Sequence, residues 1–323
     1  MLCFESLSIG ENMASFDGRF SSTPLYLDGD RKHHLLNVWR YNTFHRRENR
    51  HGDRVPLRCE VYWPTTLEDM RPALDNIVFD KTPSRMLCNL FWQSIDWTWV
   101  RGELGPLVVH DTGCGSGWMG QKIPEWLGEQ IMYHGFEVVR DPRWPDLTNE
   151  NLRLHFFDGL NYRNTFGCRP NLVITQSAME HFPQDLSYVD AIAECLESTE
   201  KMLQIHVIPG SDTLPYYGPH GWRQYNRDAI RRVLGRLPSS LDVMVVALGA
   251  PEVSRLYKKW IASRKTLRKL KKNSEVQAIY KAEWLAAMEA CSPVGIDKAS
   301  FLVLIAAKGL SMPVWPRLIT RSR

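Results

Sequence analysis

From Leu107 to Lys308 short apolar runs alternate with amphipathic stretches. Runs of four to eight apolar residues predict buried strands, and spacing near 3.6 predicts helices. On that basis Leu107–His110, Ile131–Val139, Leu152–Phe157, Leu172–Thr175 and Met202–Ile208 read as strands. Trp118–Glu129, Leu186–Glu200 and Arg227–Leu237 read as helices between or after them, the first shortened or kinked by Pro124. Two further apolar strands close the pattern, Asp242–Leu248 and Phe301–Ala307. Strands alternating with helices imply parallel pairing and right-handed crossovers. Upstream, the dense apolar segment that begins after Ser84 predicts a helix capped by that serine.

The last two strands are separated by roughly fifty residues, far more than a hairpin loop holds. The intervening stretch therefore predicts structure of its own. Glu252–Asn273 reads as one helix with Leu256, Trp260, Leu267 and Leu270 near one face. Its other positions carry nine basic residues between 255 and 272. Ser274–Ala290 reads as a second, more neutral helix. Three parts follow: an N-terminal extension 1–80, polar and irregular over its first 55 residues; a domain 81–310 with a helical insert 250–298; and a tail 311–323.

Composition narrows the class. The 323 residues are 44% hydrophobic and 24% charged, an ordinary globular balance that needs no disulfide or metal to hold a core. A net charge of +4 is too mild by itself to imply nucleic acid. The seven cysteines are scattered, with no C-x-x-C pair, so neither a zinc site nor a disulfide framework is expected. No metal-ligand cluster is legible. The reading is a cytoplasmic protein with no transmembrane segment. The basic stretch 255–272 adds a possible contact with an anionic membrane surface or with RNA, set against the ordinary fate of a solvated helix face. The twelve tryptophans are expected mainly in the core.

The chemistry concentrates in Leu107-Val-Val-His-Asp111-Thr-Gly113-Cys-Gly115-Ser-Gly117, a strand running through a glycine-rich turn into a helix. Glycine permits close backbone approach and positive φ, and a helix N-terminus offers unpaired N–H groups. Gly115–Gly120 also spells G-x-G-x-x-G, which alone would fit a dinucleotide. Asp111 argues otherwise, since a carboxylate there repels pyrophosphate but suits a ligand with an amino group. Glu137, twenty residues past Gly117, is placed to accept ribose hydroxyls in either case. Asp158 follows the next strand, where it can accept from an adenine amino group.

These motifs resemble the class I S-adenosylmethionine-dependent methyltransferases. The matching elements are D-x-G-C-G-S-G at Asp111–Gly117, Y-x-G-F-E at Tyr133–Glu137, F-D-G at Phe157–Gly159 and N-L-V-I-T-Q-S-A-M-E-H at Asn171–His181. Asn171 stands where the family usually has Asp. The resemblance implies an α/β, Rossmann-like seven-stranded sheet with helices on both faces and its last strand antiparallel. It also implies S-adenosylmethionine as cofactor, held by Asp111, Gly113, Cys114, Gly115, Gly117, Glu137, Asp158, Gln176 and Ser177. A finer resemblance rests on Lys81–Arg85 with Phe91-Trp92, on His206–Pro209, on His220–Tyr225 and on Ser300–Ile305. It points to methyltransferases of bacterial polysaccharide and glycolipid biosynthesis and implies a saccharide hydroxyl as acceptor.

A hydroxyl acceptor needs a base. The candidates are His181, Asp212 and His220. Each has a plainer reading, respectively a loop-shaping residue, a turn aspartate and a surface-loop histidine. His206, inside an apolar strand, reads as a buried, hydrogen-bonded imidazole. Tyr216, Tyr217, Trp222 and Tyr225 are candidates to stack on a sugar ring. Arg85 and Arg223 can hold an anionic acceptor, although a structural ion pair is the commoner use of arginine. Two other functions stay open: an RNA or protein methyltransferase that docks through the basic helix, and a cofactor-binding scaffold without catalysis. A dehydrogenase is the weakest rival.

Overall fold

The computed structural model describes the backbone of residues 59–63, 71–79, 81–213, 221–291 and 295–311, together with Thr43 and Leu318. Eight strands form one sheet: β1 (Cys59–Trp63), β2 (Val108–Thr112), β3 (Met132–Glu137), β4 (Leu152–Phe156), β5 (Leu172–Gln176), β6 (Met202–Pro209), β7 (Asp242–Leu248) and β8 (Phe301–Lys308). Their order is β1-β7-β8-β6-β5-β2-β3-β4. Only β8 runs against its neighbours, pairing antiparallel with both β6 and β7. The seven-stranded α/β arrangement expected from the motifs is present. It is widened by β1, which adds to β7 in parallel from within the stretch read as an N-terminal extension.

Eight helices matter here: α1 (Pro83–Gln93), α2 (Trp97–Leu104), α3 (Trp118–Leu127), α4 (Asp185–Glu197), α5 (Arg227–Leu234), α6 (Pro251–Leu256), α7 (Arg264–Lys272) and α8 (Ser274–Glu289). Helices α1–α3 and α6–α8 share one apolar cluster, and α4 and α5 share the other with the opposite face of the sheet. Among the described residues six tryptophans are buried; Trp92 stacks on Trp97, and Trp97 on Trp126.

Local chemistry corrects several sequence boundaries. Thr82, not Ser84, caps α1: its hydroxyl accepts the Arg85 N–H, and Pro83 takes the first helical position. The apolar segment after it is two helices, because the Asp96 carboxylate accepts the Trp99 N–H and starts α2. Pro124 stays inside α3, which ends one turn later at Gly128 in the left-handed conformation. The single helix expected over 252–273 is broken. A π-helical turn at Tyr257–Ile261 follows α6, and Ser263 then caps α7 afresh.

Asn171, the departure from the family pattern, has a structural reason. Its amide oxygen accepts the Val108 N–H at 2.9 Å, while its NH₂ donates to the carbonyls of Leu104 (3.1 Å) and Pro106 (2.8 Å). An ionised aspartate can accept but not donate. Here the side chain must do both, to fasten the entry of β2 to that of β5.

Candidate functional site at the carboxyl ends of β2 and β5

Strand β2 delivers Asp111 into the sheet's interior, 3% exposed. Burial pushes its carboxyl up to about 7, a rise opposed by the Tyr133 hydroxyl, which donates to Oδ2 at 2.5 Å, and aided by the nearby Glu137 charge. Beyond Thr112 the chain turns sharply. Gly113 lies at φ +80°, and a Cβ there would come within 2.3 Å of the Ala178 Cβ. The Gly113 and Cys114 N–H groups both donate to the Phe136 carbonyl. Burial raises the Cys114 thiol and keeps it protonated. Gly117, also at positive φ, begins α3, and no side chain caps that helix.

Glu137, at the end of β3, binds the loop from the side. Its Oε2 accepts the Gly115 N–H at 2.9 Å and its Oε1 the Val138 N–H at 2.8 Å. The Trp144 indole donates to the Gly115 carbonyl at 3.0 Å. Asp158 is engaged by its own turn. Partial burial alone would raise its carboxyl, but bonds from the N–H groups of Asn161 and Leu160 and from the Asn161 amide hold it below the ordinary value. Ser177, just past β5, sits at φ +49°, in the left-handed region seldom used by residues other than glycine, asparagine and aspartate. Its N–H donates to the Val207 carbonyl at 2.8 Å.

These elements enclose a cavity of about 430 Å³. Asp111, Gly113, Cys114 and Gly115 border it on one side, Gln176 and Ser177 on another. Gly117, Glu137 and Asp158 do not border it: Gly117 starts α3, Glu137 holds the loop through Gly115, and Asp158 is bound within its own turn. Residues that the cofactor motifs did not point to line it too. Ser116, Trp118 and Met119 come from the loop and α3, while Lys81, Arg85 and Asn89 reach it from α1 and the residues before it. Their signal in the sequence is the spacing by four of Lys81, Arg85 and Asn89, with the apolar Met86, Leu87 and Cys88 between the last two.

The candidate bases are less assembled. His181 lies in a short 3₁₀ helix, Met179–His181, beyond β5. Its side chain is 39% exposed, with Nε2 3.9 Å from Glu180 Oε1, and it does not line the cavity. The Asp212 side chain and all of His220, like Tyr216 and Tyr217, lie outside the described residues. His206 is the buried imidazole that its strand context predicts. Burial pushes it down to about 3, and Thr175 Oγ1 is 3.1 Å away, so it stays neutral within the sheet.

Three readings of the 209–225 loop need correction. Tyr225 is fully buried in the apolar cluster of α4 and α5, and Trp222 is buried at 8% exposure, so neither presents an open face for a sugar ring. Arg223, 2% exposed, lies 3.3 Å from the equally buried Asp185 carboxylate, so it is a structural cation and not an acceptor clamp. Asp185 Oδ2 also accepts the Tyr225 hydroxyl at 2.9 Å. The Glu180 carbonyl accepts from Trp222 N–H at 2.6 Å and Arg223 N–H at 3.3 Å. The loops after β5 and β6 are thus joined into one unit. Among the described residues no three His, Cys, Asp or Glu side chains are placed to share a metal ion. No described helix is long and apolar enough to cross a membrane.

No family model and no curated protein matches this sequence. The fold is similar to solved structures at low identity. Phosphoethanolamine N-methyltransferase 2 of Haemonchus contortus, in complex with S-adenosyl-L-methionine, is 14% identical, with a TM-score of 0.41, covering 65% of this chain and 51% of that one. The plantazolicin methyltransferase BamL, in complex with a substrate analogue and SAH, is 12% identical at a TM-score of 0.41, covering 70% and 84%. A SAM-dependent methyltransferase from Archaeoglobus fulgidus is 12% identical at 0.43, covering 71% and 96%. Likeness at this level carries no argument, and the chemistry has to be argued from this chain's own residues.

Proposed function

We propose that this protein is an S-adenosylmethionine-dependent methyltransferase that methylates a hydroxyl of a saccharide or glycolipid. The observation that carries the cofactor reading is Asp111, a buried carboxylate on the border of a glycine-loop cavity beside the uncapped start of α3. A pyrophosphate would meet that charge head on, whereas a ligand ammonium would neutralise it. When bound, the cofactor supplies an electrophilic methyl group. Asp111 would take the ammonium, and the loop Gly113, Cys114, Gly115 and Gly117 would pass close beneath the ligand. Glu137 keeps lone pairs for ribose hydroxyls after accepting its two backbone N–H bonds. Asp158 would meet the base, and Gln176 and Ser177 would border the methyl end.

The acceptor would lie against the joined loops Ser177–Pro183 and Pro209–Tyr225, beyond the strand ends where open α/β sheets bind ligands. His181 is the base this reading favours, with Asp212 and His220 next. The saccharide assignment rests on the sequence resemblance. Calorimetry should detect micromolar binding of S-adenosylmethionine or S-adenosylhomocysteine and none of NAD; the reverse result would refute the cofactor reading. In single turnovers at saturating cofactor, His181→Ala should slow methyl transfer by roughly a hundredfold while cofactor affinity holds. A near-normal rate would move the role to Asp212 or His220.

One observation favours a partner as well. Arg264, Lys265, Arg268, Lys269, Lys271 and Lys272 of α7 are all exposed, and among the described residues none of them has an ion-pair partner. The insert 250–298 holds eleven Lys and Arg against five Asp and Glu, so the rest of the chain is net acidic. This face would dock on anionic lipid, placing the enzyme peripherally at a membrane. Reversing Lys265, Arg268, Lys269 and Lys272 to Glu should abolish salt-sensitive binding to vesicles that contain acidic lipid. Wild-type binding to RNA, but not to vesicles, would favour an RNA acceptor instead.

A further inference from the structure

Resting on the cofactor reading above, we infer that α1 supplies the anion-binding half of the cavity, with Arg85 as the ligand for the cofactor's α-carboxylate and Lys81 beside it. Lys81, Arg85 and Asn89 follow one another at one-turn intervals and line the same cavity as Asp111. The first turn of α1 contains no acid and carries Arg85, at the end where the helix dipole is already positive. Among the described residues no carboxylate lies within ion-pair distance of Arg85. The helix dipole disfavours a cation in that position until an anion arrives.

Two independent features show that the cavity is built for a polar ligand. Asn89, which lines the cavity, is 91% buried, and its Oδ1 has no hydrogen-bond partner. Gln176, another lining residue, has both ends of its amide buried without partners. Buried amide groups are rarely left unpaired, and here the missing partners would come from a ligand. An acid, Asp111, and a guanidinium, Arg85, bordering one cavity match the two charges of an α-amino acid. The planar guanidinium can grip a carboxylate by two parallel bonds. The Tyr280 hydroxyl of α8 donates to the Lys81 carbonyl at 2.9 Å, so the insert between β7 and β8 braces this part of the site.

The test compares two ligands by calorimetry. S-adenosylhomocysteine carries the amino-acid end, and 5′-methylthioadenosine lacks it. Arg85→Ala should weaken S-adenosylhomocysteine at least tenfold and leave 5′-methylthioadenosine unchanged, with Arg85→Lys recovering part of the loss. Arg85→Glu should weaken it further, while thermal stability holds or rises, because an acid suits the first turn of a helix. Undiminished S-adenosylhomocysteine affinity in Arg85→Ala would overturn the assignment and return Arg85 to an acceptor anion. Equal loss for both ligands would also overturn it, as general damage. Failure of the wild type to bind either compound would sink the cofactor reading itself, and this inference with it.

Discussion

Replacing Asp111 by Asn is expected to stabilise the ligand-free protein at pH 8 while weakening cofactor binding. The folded carboxyl titrates near 7, against 3.8 for the ordinary group. The folded state therefore holds its proton more tightly than the unfolded state does. Stability that this group leaves intact at low pH is lost as pH rises from about 4 through 7, and the loss is complete above that. Relief of the buried charge should be worth roughly 2–4 kcal/mol at pH 8. Asparagine still offers an oxygen to the Tyr133 hydroxyl, so the local bond survives. Urea unfolding at pH 5 and pH 8 would show it: the variant's advantage should be clearly larger at the higher pH. In calorimetry the same variant should lose about 1.5–3 kcal/mol of cofactor affinity. Wild-type affinity should also strengthen as pH passes 7, since only the ionised carboxylate attracts an ammonium, and that dependence should vanish in Asp111→Asn. A variant that is less stable at pH 8, with unaltered binding, would contradict both parts. In this account the carboxylate is kept at a cost in stability because the ligand needs it.

The second large effect concerns the joint between the loops after β5 and β6. Asp185→Ala should destabilise the protein by about 3–5 kcal/mol, because it breaks a buried ion pair with the Arg223 guanidinium at 3.3 Å and removes the nearer acceptor of the Tyr225 hydroxyl. It also removes an acid from the first turn of α4 and the local bond from the Leu186 N–H to Oδ1. Replacing both charged partners, Asp185→Ala with Arg223→Met, should recover part of the loss, since breaking one side of a buried pair costs more than removing both charges. Denaturant midpoints of the two single variants and the double variant would measure the coupling. Additive losses would mean that the pair is not the unit proposed. The loop joint bears on function as well, because it fixes the position of the Met179–His181 turn relative to the strand ends.

The strand and helix order was readable in the chain because its causes are local. Apolar runs between 107 and 308 are bounded by glycine, proline and polar turns, and each run seeks burial whatever surrounds it. The glycine loop was readable for the same reason. Asp111, Gly113, Cys114 and Gly115 fall within five consecutive positions, and the backbone freedom the glycines supply is a property of the residues themselves. The buried state of His206 followed from its neighbours in β6. Helix ends were less readable, since Thr82, Ser84, Asp96 and Ser263 are all chemically able to cap, and which one does so depends on where the chain turns.

Sequence alone thus determined the α/β order, the cofactor-loop motif and the charge of the insert, because these depend on composition and spacing within a few residues. Only the tertiary structure decided that Cys59–Trp63 pairs with β7, a contact between segments nearly two hundred residues apart. Only it brought Lys81, Arg85 and Asn89 to the cavity of a loop that begins at Asp111. It also reversed the reading of Trp222, Arg223 and Tyr225, whose side chains suit a cleft and a core equally well. The physical reason is common to these cases. Backbone preference acts over one turn of chain, whereas the partner that buries a ring or neutralises a charge is chosen by packing between distant elements.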